Sequence, residues 1–149
     1  MKDMIKLNDE LKNNKDAQEL QILGIKVISG GHPADLMEKS FDLVVKNPGI
    51  PYDNPVVFEA LKQKVPVITE VEVATSVMES SIIGVTGTKG KTTTTSIIYE
   101  MLNQQRVSGT AYALGNIGVP ASQMALSLKP IDDAVIELSS FQLMGTPTL

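Results

Sequence analysis

Gly84-Val85-Thr86-Gly87-Thr88-Lys89-Gly90-Lys91-Thr92-Thr93 is the stretch on which the reading of this chain turns. Before it, Ile82, Ile83 and Val85 predict a β-strand. After it, Ile97, Ile98, Met101 and Leu102 recur at helical spacing and predict a helix with one apolar face. A glycine-rich turn between strand and helix is the setting of a phosphate loop. Glycines let the backbone curl so that successive N–H groups point inward at phosphate oxygens. The helix N-terminus adds its partial positive charge. Gly87, Thr88, Lys89, Gly90, Lys91, Thr92 and Thr93 would then surround the phosphates. Lys91 would reach the β- and γ-phosphates, and the Thr92 hydroxyl would ligate Mg²⁺. The strict pattern has glycine five positions before Gly90, where this chain has Val85, and Gly87 stands inside the loop instead.

Such a loop works with a second, metal-organising acid on a neighbouring strand. Glu137 ends the apolar run Ala134-Val135-Ile136, 45 residues after Thr92. That interval holds one further βα unit, a strand over Ala111–Leu114 and a short helix with Pro120 at its first position. A carboxylate at the C-terminal end of a strand lies where open α/β sheets bind ligands. Taken alone, Glu137 reads equally well as a solvated strand-end residue.

Upstream, short apolar runs at Ile25–Ile28, Leu43–Val45 and Val65–Ile68 follow one another about every 20 residues, as in βα units. Between them Ala17, Leu20 and Leu23 share one helical face, and Val57, Phe58 and Leu61 another. The fold class is therefore α/β with parallel strands. Residues 1–79 read as part of a Rossmann-like domain, and residues 80–149 as the start of a P-loop NTPase-type domain, with the junction near Glu79. The first piece opens inside a βα unit and the second stops just past its third strand, so a fragment of a longer protein is expected.

Composition narrows the function. The chain has 149 residues, 42% hydrophobic and 20% charged, which suits a soluble globular protein. No run approaches the ~18 apolar residues of a membrane span, and the N-terminal ten residues lack the apolar core of a signal peptide. No cysteine is present, so disulfides, zinc–thiolate sites and thiol catalysis are excluded; a cytoplasmic location fits. Residues 1–79 hold 13 acidic and 9 basic side chains, and residues 80–149 hold 4 of each. Neither half has the basic excess of a nucleic-acid-binding protein. His32, the sole histidine, lies in Gly31-His32-Pro33 and reads as a turn residue.

The run Gly84 to Thr94 resembles the ATP loop of the Mur ligases, which share the departure at Val85. Three further runs resemble the branch of that family that adds D-glutamate. They are Lys46 to Pro51, Gly115 to Gly118, and Glu137-Leu138-Ser139-Ser140-Phe141-Gln142-Leu143, the last being the most specific. The resemblance covers essentially the whole chain. It implies ATP-dependent amide-bond formation in peptidoglycan synthesis, with UDP-N-acetylmuramoyl-L-alanine and D-glutamate as substrates and ATP and Mg²⁺ as cofactors. ATP would phosphorylate the substrate carboxylate, and the D-glutamate amine would attack the resulting acyl phosphate. By resemblance Lys91, Asn116 and Glu137 are catalytic, and Thr92 and Glu137 hold the metal. Asn47, Pro48 and Gly49 form the turn at the UDP diphosphate. Asn116, Ser139 and Gln142 line the muramoyl side, with capping and packing after the strand as the competing reading for the last two. Leu7-Asn8-Asp9 is similar to the strand end where an acid reads the uracil.

The resemblance also implies a C-terminal glutamate-binding domain, a histidine–aspartate motif and a carbamylated lysine, none of which fits within these residues. The chain alone is therefore expected to lack ligase turnover, which a phosphate-release assay with all three substrates would test. Two other classes compete. A P-loop kinase or GTPase leaves Asn47-Pro48-Gly49 and Gly115–Gly118 unexplained and lacks an Asn-Lys-x-Asp run. A non-catalytic nucleotide-binding module would bind without turning over.

Overall fold

A computed structural model describes residues 5–8, 15–29, 31, 36, 41–47 and 49–144. Strands and helices alternate: β1 (Ile5–Asn8), α1 (Lys15–Ile22), β2 (Lys26–Ser29), β3 (Val44–Lys46), α2 (Pro55–Lys62), β4 (Val67–Thr69), α3 (Glu70–Val77), β5 (Ser81–Val85), α4 (Lys91–Gln104), β6 (Ala111–Gly115), α5 (Ala121–Met124), β7 (Asp133–Glu137) and α6 (Ser140–Met144). Every described strand pair is parallel. The expected α/β class is thus observed. Among the described residues no helix is long and apolar enough to cross a membrane.

The chain divides into two compact units, Met1–Phe41 and Asp42–Leu149. The first carries the two-stranded sheet β1–β2, in which Asn8 pairs with Ser29. Leu7 and Asn8 lie on β1, whereas Asp9 and His32 fall outside the described residues. The second unit carries the pair β3–β4 and the three-stranded sheet β5–β7–β6. The position near Glu79 falls between these two sheets, and its standing as a domain junction is a proposal.

Local chemistry explains the helix ends. Asn54 caps α2 by accepting the Val56 N–H at 3.0 Å, and Pro55 supplies a pre-set φ at the first turn. At the other end, Lys64 N–H donates to Leu61 O (3.0 Å) and Val65 N–H to Ala60 O (2.9 Å). Together these bonds form a Schellman cap with Lys64 as the left-handed residue at φ 60°. Helix α1 ends the same way, with Gly24 N–H on Gln21 O, Ile25 N–H on Leu20 O, and Gly24 at φ 79°.

The core sits around β7, where Ala134, Val135, Ile136 and Glu137 are all buried. Ile136 and Leu114 pack with Val71 and Ala74 of α3, Ala121 of α5 and Leu138. Fully burying a side chain of this size contributes about 1.5–3 kcal/mol. Three expected apolar stripes are corrected. In α2 the buried residues are Val56, Val57 and Ala60, while Phe58 and Leu61 are exposed. In α4 the buried position is Thr95, with Ile98 and Leu102 half-buried, while Ile97 and Met101 are exposed. In α1 Ala17 is buried, but Leu23 lies beyond the helix and is exposed. In α2 and α4 a small or β-branched residue, Ala60 or Thr95, takes the most buried position, and larger side chains such as Phe58 and Met101 lie on the exposed side.

Candidate functional site

The loop from Thr86 to Gly90 joins β5 to α4. It turns on Gly87 (φ 152°) and Gly90 (φ 77°), and Gly90 is the residue that caps α4. No side chain caps this 14-residue helix. Its first backbone bond runs from Thr94 N–H to Gly90 O at 2.9 Å. The N–H groups of Lys91, Thr92 and Thr93 therefore have no acceptor within the helix and form an anion-binding end. Thr88, Lys89, Thr92 and Thr93 are exposed around it. Lys91 is half-buried, and its Nζ donates to Gly87 O at 2.8 Å across the loop.

Glu137 stands directly beside this loop. It ends β7, pairs with Val85 on one side and Gly115 on the other, and is 5% exposed. Leu138 N–H donates to Val85 O at 2.8 Å and fixes the crossing. The Oε2 of Glu137 is buried without a hydrogen-bond partner among the described residues. A buried carboxylate oxygen left unpartnered is costly, and a cation satisfies it. Among the described residues no group of three or more His, Cys, Asp or Glu could hold a metal. A metal here would take Glu137, the Thr92 hydroxyl and oxygens of its ligand. Few protein ligands plus phosphate oxygens is the habit of Mg²⁺, so the residues fit the expected ion.

Asn116 reaches the same place from β6. Its N–H donates to Glu137 O at 3.3 Å. The turn that delivers it requires glycine: Gly115 has φ 93° and Gly118 φ 68°. A Cβ on Gly115 would lie 2.5 Å from Glu137 O, and one on Gly118 would collide with Ala113 O. Gln142 is buried and its Oε1 accepts twice, from Ser139 N–H at 2.7 Å and from Asn116 Nδ2 at 3.3 Å. Gln142 N–H in turn donates to Ser139 Oγ at 3.2 Å. Asn116, Glu137, Ser139 and Gln142 therefore form one connected cluster. Within it Ser139 and Gln142 bond each other, and Gln142 alone bonds Asn116.

Asn47 and Gly49 lie just past the end of β3, in the other sheet, and both are exposed. Pro48 falls outside the described residues. Asn47 Oδ1 accepts from Gly49 N–H at 3.0 Å and Asn47 O from Ile50 N–H at 3.0 Å, closing a tight turn. Sequence reasoning passed over the neighbouring Lys46, which is 4% exposed. The signal was present: a lysine ending the apolar strand run Leu43-Val44-Val45.

The opposite end of the sheet is held by a different cluster. Arg106 donates to Asp133 Oδ2 at 2.6 Å, Ile131 O at 2.7 Å and Ser108 O at 2.9 Å. Asp132 accepts from Thr110 N–H at 2.8 Å and Lys129 N–H at 2.9 Å. These bonds hold loops together at the N-terminal ends of the strands, away from the phosphate loop.

Comparison with known proteins agrees with this geometry. The Mur ligase middle domain matches residues 85–147. A UDP-N-acetylmuramoylalanine--D-glutamate ligase of Enterococcus faecalis is 53% identical over 97% of this chain. Proteins of the same name from Lactiplantibacillus plantarum and Listeria monocytogenes are 55% and 51% identical, also over 97% of it. In each case the chain spans 32% of the relative's length. With a phosphate loop beside a buried strand-end acid, residues 85–147 match the Mur ligase middle domain, and nearly the whole chain is similar to these D-glutamate ligases.

Proposed function

We propose that the protein to which these residues belong joins D-glutamate to UDP-N-acetylmuramoyl-L-alanine at the expense of ATP, in peptidoglycan synthesis. The observation that carries this reading is the buried, unpartnered Oε2 of Glu137 on the strand paired with the loop-bearing strand. The relatives' names supply the substrates.

A carboxylate is a poor electrophile, and phosphorylation turns one of its oxygens into a leaving group. The residues here supply position and charge for that transfer. The loop N–H groups and α4 cradle the ATP phosphates. Lys91, whose Nζ donates to Gly87 O across the loop, would offer that donor to a phosphate oxygen of ATP. Thr92 and Glu137 would hold Mg²⁺, which would neutralise phosphate charge. Asn116, kept in place by Glu137 O and Gln142, orients the substrate carboxylate end. Gly87, Thr88, Lys89, Gly90 and Thr93 shape the ATP side. Asn47, Pro48 and Gly49 meet the UDP diphosphate, and Ser139 and Gln142 border the muramoyl side.

Titration calorimetry with UDP-N-acetylmuramoyl-L-alanine and with ATP, separately, tests the reading. Both are expected to bind, ATP in a Mg²⁺-dependent manner. Binding of ATP or GTP with no recognition of the muramoyl nucleotide would overturn it in favour of a kinase or GTPase.

A further inference from the structure

Lys46 is a buried ammonium that nothing in the proposed chemistry uses. It ends β3, one residue before Asn47. Its Nζ donates to Ile50 O at 3.0 Å and lies 4.6 Å from the centre of the Tyr52 ring. No carboxylate partners it among the described residues, and burial lowers its pKa from the usual lysine value. A buried ammonium without an opposite charge is expensive, so this position carries a cost that an apolar side chain would avoid. Thr69, directly opposite Lys46 in the β3–β4 register and on the same face, is fully buried, and its Oγ1 has no hydrogen-bond partner among the described residues.

The bonds around Lys46 are all local, and they converge on one turn. Asn47 Oδ1 holds Gly49 N–H, Asn47 O holds Ile50 N–H, and Lys46 Nζ holds Ile50 O. The first two consume the turn's inner donors. Of these three bonds, the third ties the turn back to the sheet and carries the ammonium.

We propose that Lys46 is a positioning residue for the UDP-sugar substrate: its ammonium, seated on Tyr52, braces the Asn47–Ile50 turn from below and places positive charge beneath a diphosphate. The inference rests on the assignment of that turn to the UDP diphosphate. Arginine can make the same carbonyl bond and stack on the same ring. Methionine fills the space without charge or donor.

The test is calorimetry of the wild-type chain, Lys46→Met, Lys46→Arg and Tyr52→Leu with UDP-N-acetylmuramoyl-L-alanine, each sample also titrated with Mg-ATP. Losing one charge-assisted hydrogen bond should weaken binding of the muramoyl nucleotide about tenfold in Lys46→Met. Lys46→Arg should restore most of it, and Tyr52→Leu should lie between. Unchanged ATP affinity in the same samples shows that the variants are folded. A merely structural lysine would lower both affinities together, or neither, and either result overturns the inference. If wild type binds the muramoyl nucleotide and Lys46→Met binds it equally well, the inference fails and the substrate reading stands. If wild type does not bind it at all, the substrate reading fails and takes the inference with it.

Discussion

Gly115→Ala should be among the most damaging single-methyl changes in the second unit. Two costs add. At φ 93° an L-residue meets its own backbone, which costs roughly 1–2 kcal/mol. The new Cβ would also lie 2.5 Å from Glu137 O and 3.1 Å from Ile136 Cγ2. The first of these is a backbone atom of the central strand and cannot swing aside as a side-chain tip could. Overpacking of this kind costs about 1–3 kcal/mol. The sum is about 3 kcal/mol, against a total stability on the order of 5–15 kcal/mol. Gly90→Ala separates the two terms. Gly90 has φ 77°, but nothing lies within 4 Å of its added Cβ, so it carries the dihedral cost alone. Thermal unfolding followed by circular dichroism should place Gly115→Ala about 4–8 °C below Gly90→Ala, at roughly 2–4 °C per kcal/mol. Equal midpoints would refute the close approach of the Gly115 turn to β7. Because Asn116 N–H donates to that same Glu137 oxygen, Gly115→Ala should also weaken the muramoyl nucleotide more than ATP.

Other outcomes follow from the same geometry. Glu137→Gln removes a charge that has no protein partner on Oε2, so chemical denaturation should show stability within about 1 kcal/mol of wild type or above it; calorimetry should show the Mg²⁺ dependence of ATP binding lost. Lys64→Gly relieves a left-handed residue at the cost of unfolded-chain entropy, for a net gain of about 0.5 kcal/mol in urea melts. A net loss would mean that the Schellman cap of α2 is misassigned. The Asp132 carboxyl is held below the ordinary aspartate range, chiefly by the Lys129 N–H and then the Thr110 N–H. Its contribution is therefore complete above that range and lost as pH falls through and below it. The stability gap between wild type and Asp132→Asn should accordingly narrow in melts run from neutral pH down towards pH 3. A gap that widens on acidification would contradict the assignment. Ile136→Ala, in the middle of the core, should cost about 2–5 kcal/mol by the same melts.

Much of this was legible in the residues themselves. The alternation of apolar runs and helical stretches named the fold class, because strand and helix periods are local properties of the chain. The loop Gly84–Thr93 announced itself for the same reason: glycine placement, a lysine and a hydroxyl at fixed spacing, between a strand and a helix. Helix α3 went unread because Glu70–Val77 holds three valines, a threonine and a serine, and its first residue follows β4 without a turn. Only packing of Val71 and Ala74 into the core makes that segment helical.

What sequence alone determined, then, is the chemistry available: a phosphate loop, an acid at a strand end, and an asparagine between two glycines. What the tertiary structure decided is which of these meet. The order β5–β7–β6 inserts the last strand between the other two, and that insertion sets Glu137 beside Val85 on one edge and Gly115 on the other. No local pattern encodes it, since connections of either length could reach either edge. The choice of Thr95 over Met101, or Ala60 over Phe58, as the buried face is likewise made by the surface that packs against each helix. The buried ammonium of Lys46 has the same origin: a lysine at a strand end is ordinary in sequence, and only the fold places its charge on Tyr52 beneath a turn.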